Sequence, residues 1–293
     1  MARDHSRPSE APHLDRSSAA RRAGQVLYWS GIALLVFVMV LPFLWMVATS
    51  LMDEFAVFAY PPPLLPRPAR LSNYLNAWRA LPFGRFYLNS LLFSLAVVVG
   101  QVTTSALAAY AFARLRFPGR DRLFGLMLLT FMIPGVITLV PRFVLLKELG
   151  WINTYAGLIV PELSSIFSTF LLREHFRSLP QDVFDAARID GAGHFRQMLQ
   201  IALPMSIPIA TTLLLLGAVA HWNAYLWPLI VTNTQDMRTL PIGLQALKYK
   251  TGEIPQWNVV MAGATMVLLP LIAIFLAAQK KFVEGAVQGA LKG

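Results

Sequence analysis

The chain contains no cysteine in its 293 residues. That excludes disulfides, thiolate metal sites and cysteine nucleophiles together, and leaves the redox compartment open. Charge is scarce as well: 14% of residues are Asp, Glu, Lys or Arg, against about 25% in an ordinary soluble domain. Two signatures of chemistry are missing, the Gly-x-x-x-x-Gly-Lys-Ser/Thr loop that cradles nucleotide phosphates and the His-Glu-x-x-His zinc pair. The chain is therefore expected neither to hydrolyse ATP nor to hold a catalytic metal. With 56% hydrophobic residues and a mean hydropathy of +0.55, it is too apolar for a soluble globule and reads as an all-α integral membrane protein.

Long hydrophobic runs are what it has in quantity. A helix needs about 20 apolar residues to cross a hydrocarbon core, and six charge-poor stretches reach that length: 26–51, 86–113, 123–141, 155–176, 205–231 and 257–279. Six transmembrane helices put both termini on one side. Placing that side in the cytoplasm gathers most of the 25 Lys and Arg there, including Arg114, Arg116, Arg120 and Arg122 between the second and third spans. Cytoplasmic loops carry such an excess, so the orientation is N-in/C-in. The net charge of +10 then follows from topology rather than from a nucleic-acid partner. Residues 1–24 mix Arg, Ser, Pro, Asp and Glu without apolar periodicity and read as a disordered cytoplasmic tail. The run that follows exceeds the apolar core of about 7–15 residues in a cleavable signal, so it stays as a first span. Residues 25–293 form one six-span domain.

The loop after the first span is proline-rich and then amphipathic through Leu71, Tyr74, Leu75, Trp78 and Leu81. It predicts a short outer-surface helix, whose apolar side meets either the membrane interface or a partner. Pro134-Gly135, Pro161, Pro208 and Pro270 fall inside later spans. Proline removes a backbone donor and bends a helix; such bends either line a path or are tolerated without function.

The loop at 178–204 lies on the cytoplasmic side, between the fourth and fifth spans. Ser178 or Asp182 is placed to cap a helix starting near Pro180, and Asp182 and Asp185 favour its positive end. Gly191 suits a left-handed residue closing that helix, and a second helix runs from about Gly193 toward Pro204. Ala186 and Ala187 leave a smooth face for another protein, Val183 and Phe184 offer apolar contact, and Asp185, Arg188, Asp190 and Arg196 offer charge. The result is a helix-turn-helix elbow.

The triplet Asp185-Ala186-Ala187, Gly191 and the close Ile201-x-Leu203-Pro204 fall at the spacing of the EAA motif. This resembles the permease subunits of ATP-binding cassette importers, with Asp where the motif has Glu. The resemblance covers roughly residues 25–293 and extends through Leu149-Gly150-Trp151-x-Asn153-Thr154, Trp222-Asn223, Thr239-Leu240-Pro241-x-Gly243-Leu244, Met261-Ala262-Gly263 and the terminal Gly289-Ala290-Leu291-Lys292-Gly293. These look like the second permease of the maltose-type carbohydrate importers, and the stretch Trp222 to Leu229 is similar to the glycerol-3-phosphate branch.

The resemblance implies a type I importer permease fold in a bacterial plasma membrane. It also implies two ATP-binding subunits, a second homologous permease and an extracytoplasmic solute-binding protein as partners. ATP and Mg would sit on the ATPase, with no cofactor on this chain. By the same resemblance Asp185, Ala186, Ala187 and Gly191 couple to the ATPase, and the tail with Lys292 and Gly293 reaches between the two ATPases.

Ionisable groups inside spans are costly and are treated as functional candidates. Glu162 and His221 are the two here. His221, Asn223, Tyr225 and Trp227 form a polar-aromatic set suited to a sugar-like solute, since rings stack on sugars and polar groups bond their hydroxyls. The competing reading is a buried polar set joining helices, and for Glu162 a pairing with an Arg of a neighbouring helix. An ion-coupled secondary transporter is the alternative function, resting on Glu162; a channel is the third, and it needs no coupling elbow.

Overall fold

The computed structural model describes residues 16–61, 63–250 and 255–290, with side chains from 24 to 276 within that range. Lys292 and Gly293 lie outside it. The described residues are helical: α1 (Arg16–Ser50), α2 (Ser72–Ala80), α3 (Phe83–Arg114), α4 (Arg120–Phe131), α5 (Leu139–Glu148), α6 (Tyr155–Ile159), α7 (Ile166–Ser178), α8 (Gln181–Ile189), α9 (His194–Gln197), α10 (Leu203–Met205), α11 (Ile207–Trp222), α12 (Leu226–Val231), α13 (Leu240–Lys250) and α14 (Trp257–Ala290). A π-turn at Met198–Ala202 joins α9 to α10.

Among the described residues, three helices are long and apolar enough to cross a membrane unbroken: Gly24–Ser50, Phe83–Arg114 and Trp257–Leu276. Two further spans are bent pairs, Tyr155–Glu162 with Ile166–Ser178 at 41° and His194–Met205 with Ile207–Trp222 at 78°. The prolines account for the breaks. Pro161 sits in a 3-10 turn, and Pro208 opens α11, where its missing donor costs no helical bond.

Three expectations need correction. The span expected at 123–141 is divided, because α4 stops at Phe131 and α5 starts at Leu139 with Pro134-Gly135 in the gap; proline and glycine are the two poorest helix residues. The span expected at 205–231 ends at Trp222 and resumes at Leu226. The tail expected to run to residue 24 is helical from Arg16, since Arg16–Ala23 is mostly Ala and Arg, both strong helix formers. Residues 1–15 lie outside the described range.

The α3 helix is the mast of the molecule. It supplies Phe83 and Phe86 to one buried cluster, Phe93 and Val97 to a second, and Ala106, Ala109 and Tyr110 to a third. Gly100 permits one close approach, because a Cβ there would lie 2.3 Å from Leu163 Cδ2. The α2 helix packs inward through Asn73, which donates to the Ser50 and Met52 carbonyls at 2.9 and 2.8 Å, while Leu71, Leu75 and Trp78 stay exposed. By contrast, the apolar stretch of α1 is unburied over its span. Surface of that kind is stable only against lipid or another apolar chain.

Candidate functional site

The elbow between α7 and α11 is built by local chain chemistry. Helix α8 closes on Gly191 at φ +77°, a left-handed conformation that costs L-residues energy. The Gly191 amide donates to Arg188 O at 3.1 Å and the Ala192 amide to Ala187 O at 2.8 Å. This pair of bonds is a Schellman cap, which satisfies carbonyls that would otherwise be orphaned. The start of the helix differs from expectation. Pro180 precedes the first turn and no side chain caps it, because the Ser178 hydroxyl donates back to His175 O at 2.8 Å. Asp182 does lie in the first turn.

The elbow is bolted to the end of α3. The Arg114 guanidinium donates to Gln181 Oε1 at 2.6 Å, Phe176 O at 2.6 Å and Leu179 O at 2.8 Å. Its Cζ also stands 4.0 Å above the Phe184 ring. A second bolt is Gln197, buried in α9, which donates to Ala192 O at 2.7 Å and accepts from the Tyr110 hydroxyl at 3.3 Å. Sequence reasoning missed both residues, having weighed Arg114 only as a topological charge.

Phe184 is a correction. Expected to face a partner, it is 1% exposed and packs in the chain's own core with Tyr110, Phe176 and Met198. The apolar groups presented outward are instead Ile189, 87% exposed, and Phe195, 66% exposed. They flank the Gly191 turn, and the signal was two large apolar residues beside a turn glycine. Val183 is exposed as expected. Ala186 is exposed and Ala187 half-buried, giving the smooth face. Asp185 accepts from Gln181 and Arg188, each at 3.0 Å, and remains about half exposed.

In α7, Arg173 is buried against the Phe124 ring of α4 at 3.8 Å and reaches Glu174 at 2.6 Å and Asp121 at 3.5 Å. A hydrogen bond from Arg120, with the charges of Arg173 and Arg177 nearby, holds the Asp121 carboxyl below the usual carboxylate range. These contacts tie α4 to α7 just above the elbow.

The five solute-path candidates do not form one cluster. Glu162 pairs with Arg142 of α5, in keeping with the reading of an arginine partner. The Arg142 Cζ in turn lies 4.1 Å over the Trp227 ring. Trp227 is buried and donates to Leu158 O at 3.1 Å, so it holds helices together. His221 meets the edge of Phe93 at 5.7 Å between ring centres. Asn223 donates to Val219 O of its own helix at 2.9 Å. Tyr225 alone lines an open cleft, of about 490 Å³, with Arg238, Gln245, Tyr249 and Lys250. The break after Trp222 separates these side chains, which a continuous helix would have kept in register.

The family model for the binding-protein-dependent transport system inner membrane component matches residues 101–286. The chain is 36% identical over 263 residues to the sn-glycerol-3-phosphate transport system permease protein UgpE of Yersinia enterocolitica, covering 88% of this chain and 92% of that protein. It is 32% identical over 282 residues to the protein of the same name from Rhizobium meliloti, covering 94% and 99%. Among solved structures, a chain of a bacterial ABC transporter involved in import of the acidic polysaccharide alginate superposes with a TM-score of 0.80 at 22% identity, over 93% of this chain and 100% of that one. A second, from an alginate transporter in complex with a periplasmic protein bound to an alginate pentasaccharide, gives 0.65 at 15%, over 90% and 96%. The fold is thus that of an importer permease, and the match over 101–286 shows that the chain belongs to the family of inner-membrane components of binding-protein-dependent transport systems.

Proposed function

We propose that this chain is the permease subunit of an ATP-driven importer for a glycerol-3-phosphate-like polyol phosphate. The observation that carries the coupling role is the elbow itself: a capped turn exposing Ile189, Phe195 and a small-residue face, rigidly joined through Arg114 and Gln197 to the mast helix α3. A partner pushing on the turn moves α3 and, across the 78° bend, α11. The relatives named as glycerol-3-phosphate permeases support the solute class.

In this reading two ATP-binding subunits dock on the elbow, and ATP and Mg sit on them. Asp185 exchanges its local Arg188 partner for a basic group of the ATPase, Ala186 and Ala187 admit close approach, and Gly191 holds the turn. The tail with Lys292 and Gly293 reaches between the ATPases. A second homologous permease completes the pore, and a solute-binding protein delivers solute on the far side, so both termini lie in the cytoplasm. The pairing of Glu162 with Arg142 makes that carboxylate a structural ion pair, which weakens the ion-coupled alternative.

The test uses the complex in proteoliposomes with its binding protein. Uptake of glycerol-3-phosphate is expected to require ATP and to be indifferent to an imposed ion gradient. Uptake driven by the gradient without ATP would overturn the reading.

A further inference from the structure

The cleft holding Tyr225 lies at the end of the molecule opposite the elbow. Helix α3 measures the separation: Arg114 holds the elbow, whereas Asn89 donates to the carbonyls of Asp236 and Arg238 at 2.7 and 2.9 Å. At the helical rise per residue those two points of α3 stand roughly 38 Å apart, more than the hydrocarbon thickness of a bilayer. With the elbow facing the ATPases, the cleft opens on the side from which solute arrives.

Its chemistry is one-sided. Arg238 and Lys250 contribute two cations, Gln245 an amide, and Tyr225 and Tyr249 two phenols, and no carboxylate lines it among the described residues. Moreover, the Nε of Arg238 is buried and has no hydrogen-bond partner among the described residues. A buried, unpartnered donor on a charged group is expensive to leave unsatisfied, and this one belongs to the cleft's half-buried wall. A guanidinium offers a planar or tetrahedral oxyanion parallel bonds from its outer nitrogens, while a lysine adds a mobile point charge. The tyrosines and the glutamine match the hydroxyls and carbon skeleton of a small polyol.

We propose that this cleft is an entry subsite for the anionic end of the solute, with Arg238 and Lys250 binding the phosphate and Tyr225, Gln245 and Tyr249 the polyol. The assignment rests on the polyol-phosphate reading for its choice of solute, but the cleft's affinity for phosphate can be measured without it. The concave shape and the half-buried Arg238 favour a small anion over an acidic patch of the binding protein.

The experiment uses the assembled complex in nanodiscs, with inorganic phosphate and glycerol-3-phosphate titrated by phosphorus NMR line broadening. Arg238→Gln and Lys250→Gln are each expected to weaken binding of both probes by about tenfold, the loss of one charged hydrogen-bonding group. The double variant should abolish it. In uptake assays the same variants should raise KM for glycerol-3-phosphate, and co-elution of the ATPase subunits reports that the variants still assemble. Phosphate binding that is absent from the wild type, or unchanged in the double variant, would overturn the subsite. So would weakened docking of solute-free binding protein with unchanged phosphate affinity, which would make the cleft a protein-docking surface. Phosphate binding that depends on Arg238 in a complex that imports no glycerol-3-phosphate would uphold the subsite and refute the solute assignment.

Discussion

Gly191 and Arg114 control the elbow by different physics. A Cβ at Gly191 would meet open space, so Gly191→Ala costs only the left-handed conformation, about 1–2 kcal/mol, and Gly191→Asn less, because Asn visits that region more readily. Proline is another matter. Its ring holds φ near −65° and removes the amide bonded to Arg188 O, so Gly191→Pro cannot form the Schellman cap. We expect Gly191→Pro to insert in the membrane normally but to lose co-purification of the ATPase subunits; normal ATP-driven uptake in that variant would refute the elbow's role. Arg114→Ala removes three hydrogen bonds and a ring contact at once. Local opening of residues 181–197 should become easier by about 2–3 kcal/mol, read as faster amide hydrogen exchange there and not in α13.

At the scale of elements, the contrast is between helices that stiffen and breaks that turn. The α8 to α9 elbow exposes Ile189 and Phe195 at its tip, where the isolated chain gains nothing from them. Replacing Ile189 with Ala should therefore leave thermal stability within about 0.5 kcal/mol. The same change should weaken ATPase docking by about 1–2 kcal/mol, as loss of an apolar interface contact does. Separating the two readouts, unfolding temperature and subunit affinity, checks the assignment: a drop in stability alone would make Ile189 a structural residue. The 78° bend between His194–Met205 and Ile207–Trp222 has a clear local cause. Pro208 starts a new helix, and the Ser206 hydroxyl donates back to Ala202 O at 2.6 Å, closing the preceding turn.

For the whole molecule, the arrangement puts the elbow and the cationic cleft at opposite ends of α3, so orientation and function stand or fall together. The absence of cysteine makes this directly measurable. Single replacements Asp182→Cys and Gln235→Cys, both at exposed positions, should react with a membrane-impermeant maleimide from opposite sides of the membrane, the first from the cytoplasm and the second from outside. Labelling of both from one side would invert or dismantle the topology.

Composition, the long apolar runs and the turn chemistry around Gly191 were sufficient to determine a helical membrane protein with a helix-turn-helix elbow, because each depends on residues near one another in the chain, while the resemblance of that spacing to a permease motif implied the family. A Schellman cap needs only its own turn, and a span needs only its own length of apolar side chains. What only tertiary structure decided depends on how helices cross. Phe184 turned inward because Arg114, from another helix, covers its ring. The path candidates from His221 to Trp227 parted because the helix breaks after Trp222 and packs on two different neighbours. Glu162 found Arg142, and Arg238 and Lys250 came to share a cleft with Tyr225. No local pattern encodes those meetings; they are set by packing angles between segments distant in sequence.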